Sequence, residues 1–122
     1  MAEYYVGIDI GGMTIKGIVL DGEGKALVED VAVTGSENGG DFMCDIIGEL
    51  VFSMLKKCGG TKEEAYVGVG CPGVIDSEHG VLVFSGNLNL RDYPLAKKIE
   101  ERIGIPVKVT NDANAAALGE AK

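Results

Sequence analysis

Three stretches of this chain carry side chains whose types and spacing suit the handling of phosphate and hydroxyl groups. The first is Gly7-Ile8-Asp9-Ile10-Gly11-Gly12-Met13-Thr14-Ile15-Lys16-Gly17. Bare backbone at Gly11 and Gly12 lets a phosphate come close to amide N–H groups with no Cβ in the way. Thr14 adds a hydroxyl donor and Lys16 a positive charge. Asp9, at the carboxyl end of an apolar run, suits Mg²⁺ or its water shell, since that ion usually takes one or two protein carboxylates. Phosphoryl transfer needs mainly positioning and charge neutralisation, which such a kit supplies. The same residues also fit a plain hairpin in which Asp9 caps its own turn.

The second stretch is Asn111-Asp112, which follows an apolar run and opens an alanine-rich segment. Ligands of open α/β sheets bind beyond the carboxyl ends of strands, often at helix N-termini. There the helix dipole favours the ionised form of Asp112. An ionised carboxylate that reaches a sugar hydroxyl is a competent general base for attack on a γ-phosphate. Asn and Asp are also the preferred N-caps, worth ~1 kcal/mol. The two roles are compatible if Asn111 caps and Asp112 faces a cleft.

The third is the polar loop over residues 86–95. Asn87 offers both donor and acceptor, as a sugar hydroxyl requires, whereas Asn89 and Asp92 fit Asx-turns. Gly68, Gly70 and Gly73 match the spacing of a dinucleotide fingerprint after a strand. That fingerprint needs a helix to start at its third glycine, and residues 74–80 read as a turn. Cys71-Pro72-Gly73 is then a rigid loop that either brings backbone against a ligand or simply turns the chain. His79, the single histidine, sits in a turn and reads as exposed and inert.

The elements that must position these residues follow from periodicity. Runs at 4–10, 14–20 and 26–33, joined by tight glycine turns, predict an antiparallel three-strand meander. Phe42, Ile46, Ile47, Leu50, Met54 and Leu55 recur at helical spacing over 41–58, closed by Gly59-Gly60. Strands are predicted at 65–70, 81–84 and 106–110, a helix at 95–103 with Leu95, Ile99 and Ile103 on one face, and a last helix from 113. The order β-β-β-α-β, then further β and α, predicts an α/β fold. Its form is the mixed, helix-flanked sheet of ribonuclease-H-like lobes, as in actin and sugar kinases; a Rossmann sheet would alternate from the start. Residues 1–122 read as one domain. Its last helix has no stop signal before Lys122, so the chain reads as a lobe truncated within that helix.

Bulk properties narrow the function. The net charge of −8 argues against nucleic-acid binding, which calls for clustered Lys and Arg. The pairs Lys56-Lys57 and Lys97-Lys98 fall on predicted helix surfaces. Cys44, Cys58 and Cys71 form no C-x-x-C pair, and no signal peptide opens the chain, which together imply a reducing, cytoplasmic setting. No apolar run approaches the ~20 residues of a membrane-spanning helix.

Taken in order, the motifs resemble the ROK family of sugar kinases and sugar-responsive repressors, over essentially the whole chain. Asp9-Ile10-Gly11-Gly12-Met13-Thr14-Ile15-Lys16 resembles the family's phosphate loop. Cys71-Pro72-Gly73-Val74-Ile75-Asp76 and Asn87-Leu88 with Pro94-Leu95 resemble its sugar-facing stretches. Asn111-Asp112-Ala113-Asn114-Ala115-Ala116-Ala117-Leu118-Gly119-Glu120 is similar to its most diagnostic segment.

The resemblance implies the N-terminal lobe of an ATP-dependent kinase for glucose or an N-acetylated amino sugar. Asp112 would be the general base; Gly73, Asn87, Asn111 and Asp112 would hold the sugar. Asp9, Gly11, Gly12, Thr14 and Lys16 would face the ATP phosphates and Mg²⁺, with Asp9 binding the ion directly or through water. It further implies a homodimer in the full-length protein. The family's adenine-binding lobe and cysteine-rich zinc site would lie beyond Lys122, leaving no zinc site here and an isolated lobe that is inactive. Met13 replaces a frequent threonine, and Leu90 a frequent tryptophan.

The alternative is a non-catalytic sugar-sensing domain of a ROK-type repressor. Such proteins carry a helix-turn-helix ahead of this lobe, for which a first strand at Tyr4 leaves no room. A ribonuclease-H-like nuclease with metals on Asp9 and Asp112 fits poorly with the acidic charge.

Overall fold

The computed structural model describes residues 3–86 and 88–111. In chain order the elements are β1 (Tyr4–Ile10), β2 (Thr14–Leu20), β3 (Ala26–Val33), α1 (Gly40–Cys58), β4 (Ala65–Gly70), β5 (Val74–Asp76), β6 (Val81–Ser85), β7 (Leu90–Tyr93), α2 (Leu95–Ile103) and β8 (Val107–Thr110). The main sheet runs β3-β2-β1-β4-β8. Its first three strands form the expected antiparallel meander, and β4 and β8 add in parallel. The expected α/β, mixed-sheet lobe is thus the fold observed. The alanine-rich segment read as a last helix lies outside the described residues.

Alternation along the strands puts one apolar row set against both helices. Val6, Ile8, Ile10, Ile15, Val19, Val67, Val69 and Val109 are buried there with Met43, Ile47, Val51 and Met54 of α1 and Leu95, Ile99 and Ile103 of α2. Each such side chain contributes roughly 1.5–3 kcal/mol of burial free energy. Gly17 sits in a strand interior for a packing reason: a Cβ there would lie 2.5 Å from Met54 Cε. The helix α1 stops where the glycines predict. Gly59 takes a left-handed φ of 77°, and the Leu55 and Lys56 carbonyls accept bonds from the cap N–H groups, as in a Schellman end.

Two strands depart from the sequence expectation. Residues 74–80 contain β5 before they turn, and the polar loop over 86–95 contains β7; with β6 these make a separate three-stranded antiparallel sheet. Leu90-Arg91-Asp92-Tyr93 lacks strand alternation, and Asn89 and Asp92 have φ of 55° and 51°. Pairing with β6, not local pattern, makes it a strand.

A polar clasp ties this small sheet to the helices. The Tyr93 hydroxyl donates to Asp41 Oδ1 at 2.6 Å and lies 3.6 Å from Cys44 Sγ. Arg102 Nε donates to Asp45 at 2.6 Å, and Lys98 Nζ lies 3.8 Å from Asp41. The Tyr93 hydrogen bond, then the Lys98 charge, hold the Asp41 carboxyl below the usual Asp range. Lys57 similarly depresses Asp30, and His79 depresses Asp76.

These depressed values set a sign for acid stability. The native state binds fewer protons than the unfolded chain, so the stabilisation is complete above the unfolded Asp pKa of about 3.9 and is lost as pH falls through the native values. A melting series should show Tm falling steeply below about pH 4, with a shallower fall in Asp41→Asn. Equal slopes for the two proteins would remove Asp41 from this role.

Candidate functional site

Strand register brings the glycine hairpin, the Cys71-Pro72-Gly73 loop and Asn111 to one edge. Asp9 pairs with Lys16 on β2 and with Gly70 on β4, and Gly70 pairs with Thr110 on β8. Lys16, Asp9, Gly70 and Thr110 therefore stand in one row across four strands. Ile8, Ile10, Val69 and Val109 face the helices, so alternation places this row on the opposite face. At strand spacing, Asp9 and Thr110 are about 10 Å apart. The chain leaves this edge from β1 into the glycine hairpin, from β4 into Cys71-Pro72-Gly73, and from β8 into Asn111. Cys71 N–H donates to the Thr110 carbonyl at 2.9 Å, locking the second and third exits together.

Asp9 and Lys16 are exposed, and among the described residues neither side chain has a hydrogen-bond or ion-pair partner. A carboxylate left open at a sheet edge fits a hard cation with its own waters. Thr14 and Asn111 are exposed as well. Asn87 and Asp112 lie outside the described residues. No group of three or more His, Cys, Asp or Glu side chains suited to a metal ion occurs among the described residues.

The glycine hairpin is tighter than its sequence suggests. Gly11 N–H donates to the Thr14 carbonyl at 2.8 Å, so this amide closes the turn and is not turned toward a ligand. A Cβ at Gly11 would lie 2.9 Å from the same oxygen, which is what requires glycine there. Thr34 braces the hairpin from below: its buried hydroxyl donates to the Gly11 carbonyl at 2.9 Å, and its N–H donates to the Met13 carbonyl at 3.0 Å. Sequence reading missed Thr34, because a threonine just past a strand looks like any turn residue.

Gly73 has φ of 117°, a region L side chains avoid. A Cβ there would collide with the Phe84 carbonyl oxygen. The loop thus presses directly on β6, so packing against that strand by itself requires glycine at 73. Ser85, also unpredicted, is buried and accepts the Leu88 N–H at 3.3 Å, holding the ends of the loop that contains Asn87.

Cys71 is buried, and burial, then the nearby Cys44, pushes its thiol up to about 12. It remains protonated at neutral pH and packs as an apolar group. His79 is exposed as expected but is paired with Asp76 at 2.8 Å. A cleft of about 610 Å³ between residues 77–80, α2 and β8 includes none of the candidate residues. No helix among the described residues is long and apolar enough to cross a membrane.

A meander leading into parallel strands, helices on its flank and glycine-bearing exits at one edge make the lobe architecture of the actin-like and sugar-kinase folds. The ROK family model matches residues 5–122, and the chain belongs to that family.

A glucokinase of Halalkalibacterium halodurans is 36% identical over 118 residues, covering 96% of this chain and 36% of that protein. The xylose repressor of Bacillus subtilis is 34% identical over 122 residues, covering 98% and 31% respectively. Among solved structures, a ROK family glucokinase from Streptomyces griseus in complex with glucose and AMPPNP has a TM-score of 0.74 at 32% identity, over 96% of this chain and 36% of that one. The chain spans about a third of the length of these relatives.

Proposed function

We propose that this chain is the N-terminal lobe of an ATP-dependent hexose kinase acting on glucose or an N-acetylated amino sugar. One observation carries the reading: Asp9, Gly70 and Thr110 lie in register, so the glycine hairpin, the Gly73 loop and the approach to Asp112 leave from a common edge. A phosphate donor over the hairpin and a sugar between the other two exits would then be neighbours. The glucokinase relatives, one of them solved with glucose and AMPPNP, support glucose and a nucleotide as substrates.

In this reading Asp112 accepts the proton of the attacking sugar hydroxyl, whose oxygen bonds to the γ-phosphorus as ADP departs. Lys16 and the Thr14 hydroxyl meet the phosphate oxygens; Gly11 and Gly12 contribute chiefly by leaving out a Cβ. Asp9 would hold Mg²⁺, directly or through water, and the ion neutralises phosphate charge when bound. Gly73, Asn87 and Asn111 would orient the sugar. The whole protein would be a cytoplasmic homodimer, and this lobe alone inactive.

The second reading is a sugar-sensing domain of a ROK-type repressor, favoured by the similarity to a xylose repressor over 98% of the chain. A coupled ADP-release assay on the full-length protein, against glucose, xylose and N-acetylated hexosamines, separates the two. Turnover that requires both a hexose and Mg²⁺ is expected. Saturable sugar binding with no turnover for any sugar would assign the repressor role.

A further inference from the structure

The small sheet carries two successive cross-strand rows of residues. The first, Ile75, Leu82 and Tyr93, packs on the core. The second, Val74, Phe84 and Arg91, is the neighbouring row and lies outside the core cluster. It is exposed: Val74 by 59% and Phe84 by 43%. Arg91 lies over one side of the Phe84 ring, 4.9 Å from its centroid. Among the described residues its guanidinium has no hydrogen-bond or ion-pair partner.

This row adjoins the loops that reach the sheet edge. The Phe84 carbonyl oxygen is the atom that forbids a Cβ at Gly73, and the ring tip comes within 3.9 Å of where a Cβ of Gly86 would lie. An aromatic ring held open next to two turns, with a planar cation of five unused N–H donors beside it, has the composition of a ligand wall. Flat apolar surface suits the C–H face of a pyranose, and a guanidinium fork suits its hydroxyls.

We propose that Phe84 and Arg91 form a specificity wall of the sugar subsite, the ring packing on the hexose C–H face and the guanidinium bonding its outer hydroxyls. The proposal rests on the hexose-kinase reading and goes beyond it by adding two sugar-contacting residues on the small sheet.

Calorimetric titration of the full-length protein with glucose, alongside steady-state kinetics, tests it. Phe84→Ala and Arg91→Ala should each weaken glucose binding about 10-fold or more, raising KM for sugar while KM for ATP stays unchanged. Phe84→Tyr, which keeps the ring face, should bind nearly as the unaltered protein does. Where Phe84→Ala does not fold, Phe84→Leu and Arg91→Ala carry the same comparison. Unchanged glucose affinity in these variants, with or without a drop in Tm, assigns the row to packing and overturns the wall while leaving the kinase reading in place. An unaltered protein that binds no hexose overturns both.

Discussion

Replacing Asp112 with Asn should lower kcat for hexose phosphorylation by about 10²–10⁴-fold while leaving sugar affinity and Tm close to those of the unaltered protein. The amide keeps the size and most hydrogen bonds of the carboxylate but cannot take the hydroxyl proton at neutral pH. An N-cap role alone predicts a different pattern, because Asn caps a helix as well as Asp does and turnover would then be unaffected. The substitution therefore separates the two readings left open by the sequence. Single-turnover measurement with saturating ATP is the suitable readout, since slow product release could mask the chemical step.

Asp9→Asn is the second large effect. Asp9 stands between Lys16 and Gly70 in the row across the sheet, exposed and without a side-chain partner among the described residues. Little folding energy is tied up in it, so Tm should hardly change. If it holds the cation, kcat should fall by on the order of 10²–10³-fold, and the Mg²⁺ concentration needed for half-maximal rate should rise. Glucose binding measured without nucleotide should be unaffected. A variant with normal Mg²⁺ dependence would remove Asp9 from the cation role.

Much of this arrangement was readable from the chain because the signals were local. Tight glycine turns between alternating runs define the meander, and Gly59 and Gly104 end their helices in the left-handed conformation such positions favour. Asp9, Gly73 and Asn111 could be placed at the carboxyl ends of strands because those ends are marked by glycine, proline or asparagine.

What stayed hidden depends on partners distant in sequence. β7 is a strand because β6 lies beside it, and its polar residues announce only a loop. Thr34 reaches Gly11 across 23 residues, and Tyr93 reaches Asp41 across 52, so neither bond leaves a pattern in sequence. The Gly11 amide likewise looked available for phosphate until the turn geometry showed it bonded to Thr14.

The in-register edge also bears on how much a repressor and a kinase need differ. Both would bind sugar between the Gly73 loop and the segment after Thr110. Only the kinase also needs a phosphate donor over the glycine hairpin. Residues of the hairpin, Asp9 and Lys16 above all, thus carry more of the distinction than the sugar loops do.

A crystal structure of the full-length protein with glucose and a non-hydrolysable ATP analogue tests the central claim most directly. The phosphate tail is expected over residues 11–14, with a sugar hydroxyl between the γ-phosphate and the Asp112 carboxylate at hydrogen-bonding distance. A nucleotide bound on the helix-covered face of the sheet, or a sugar too far from Asp112 for proton transfer, would contradict it.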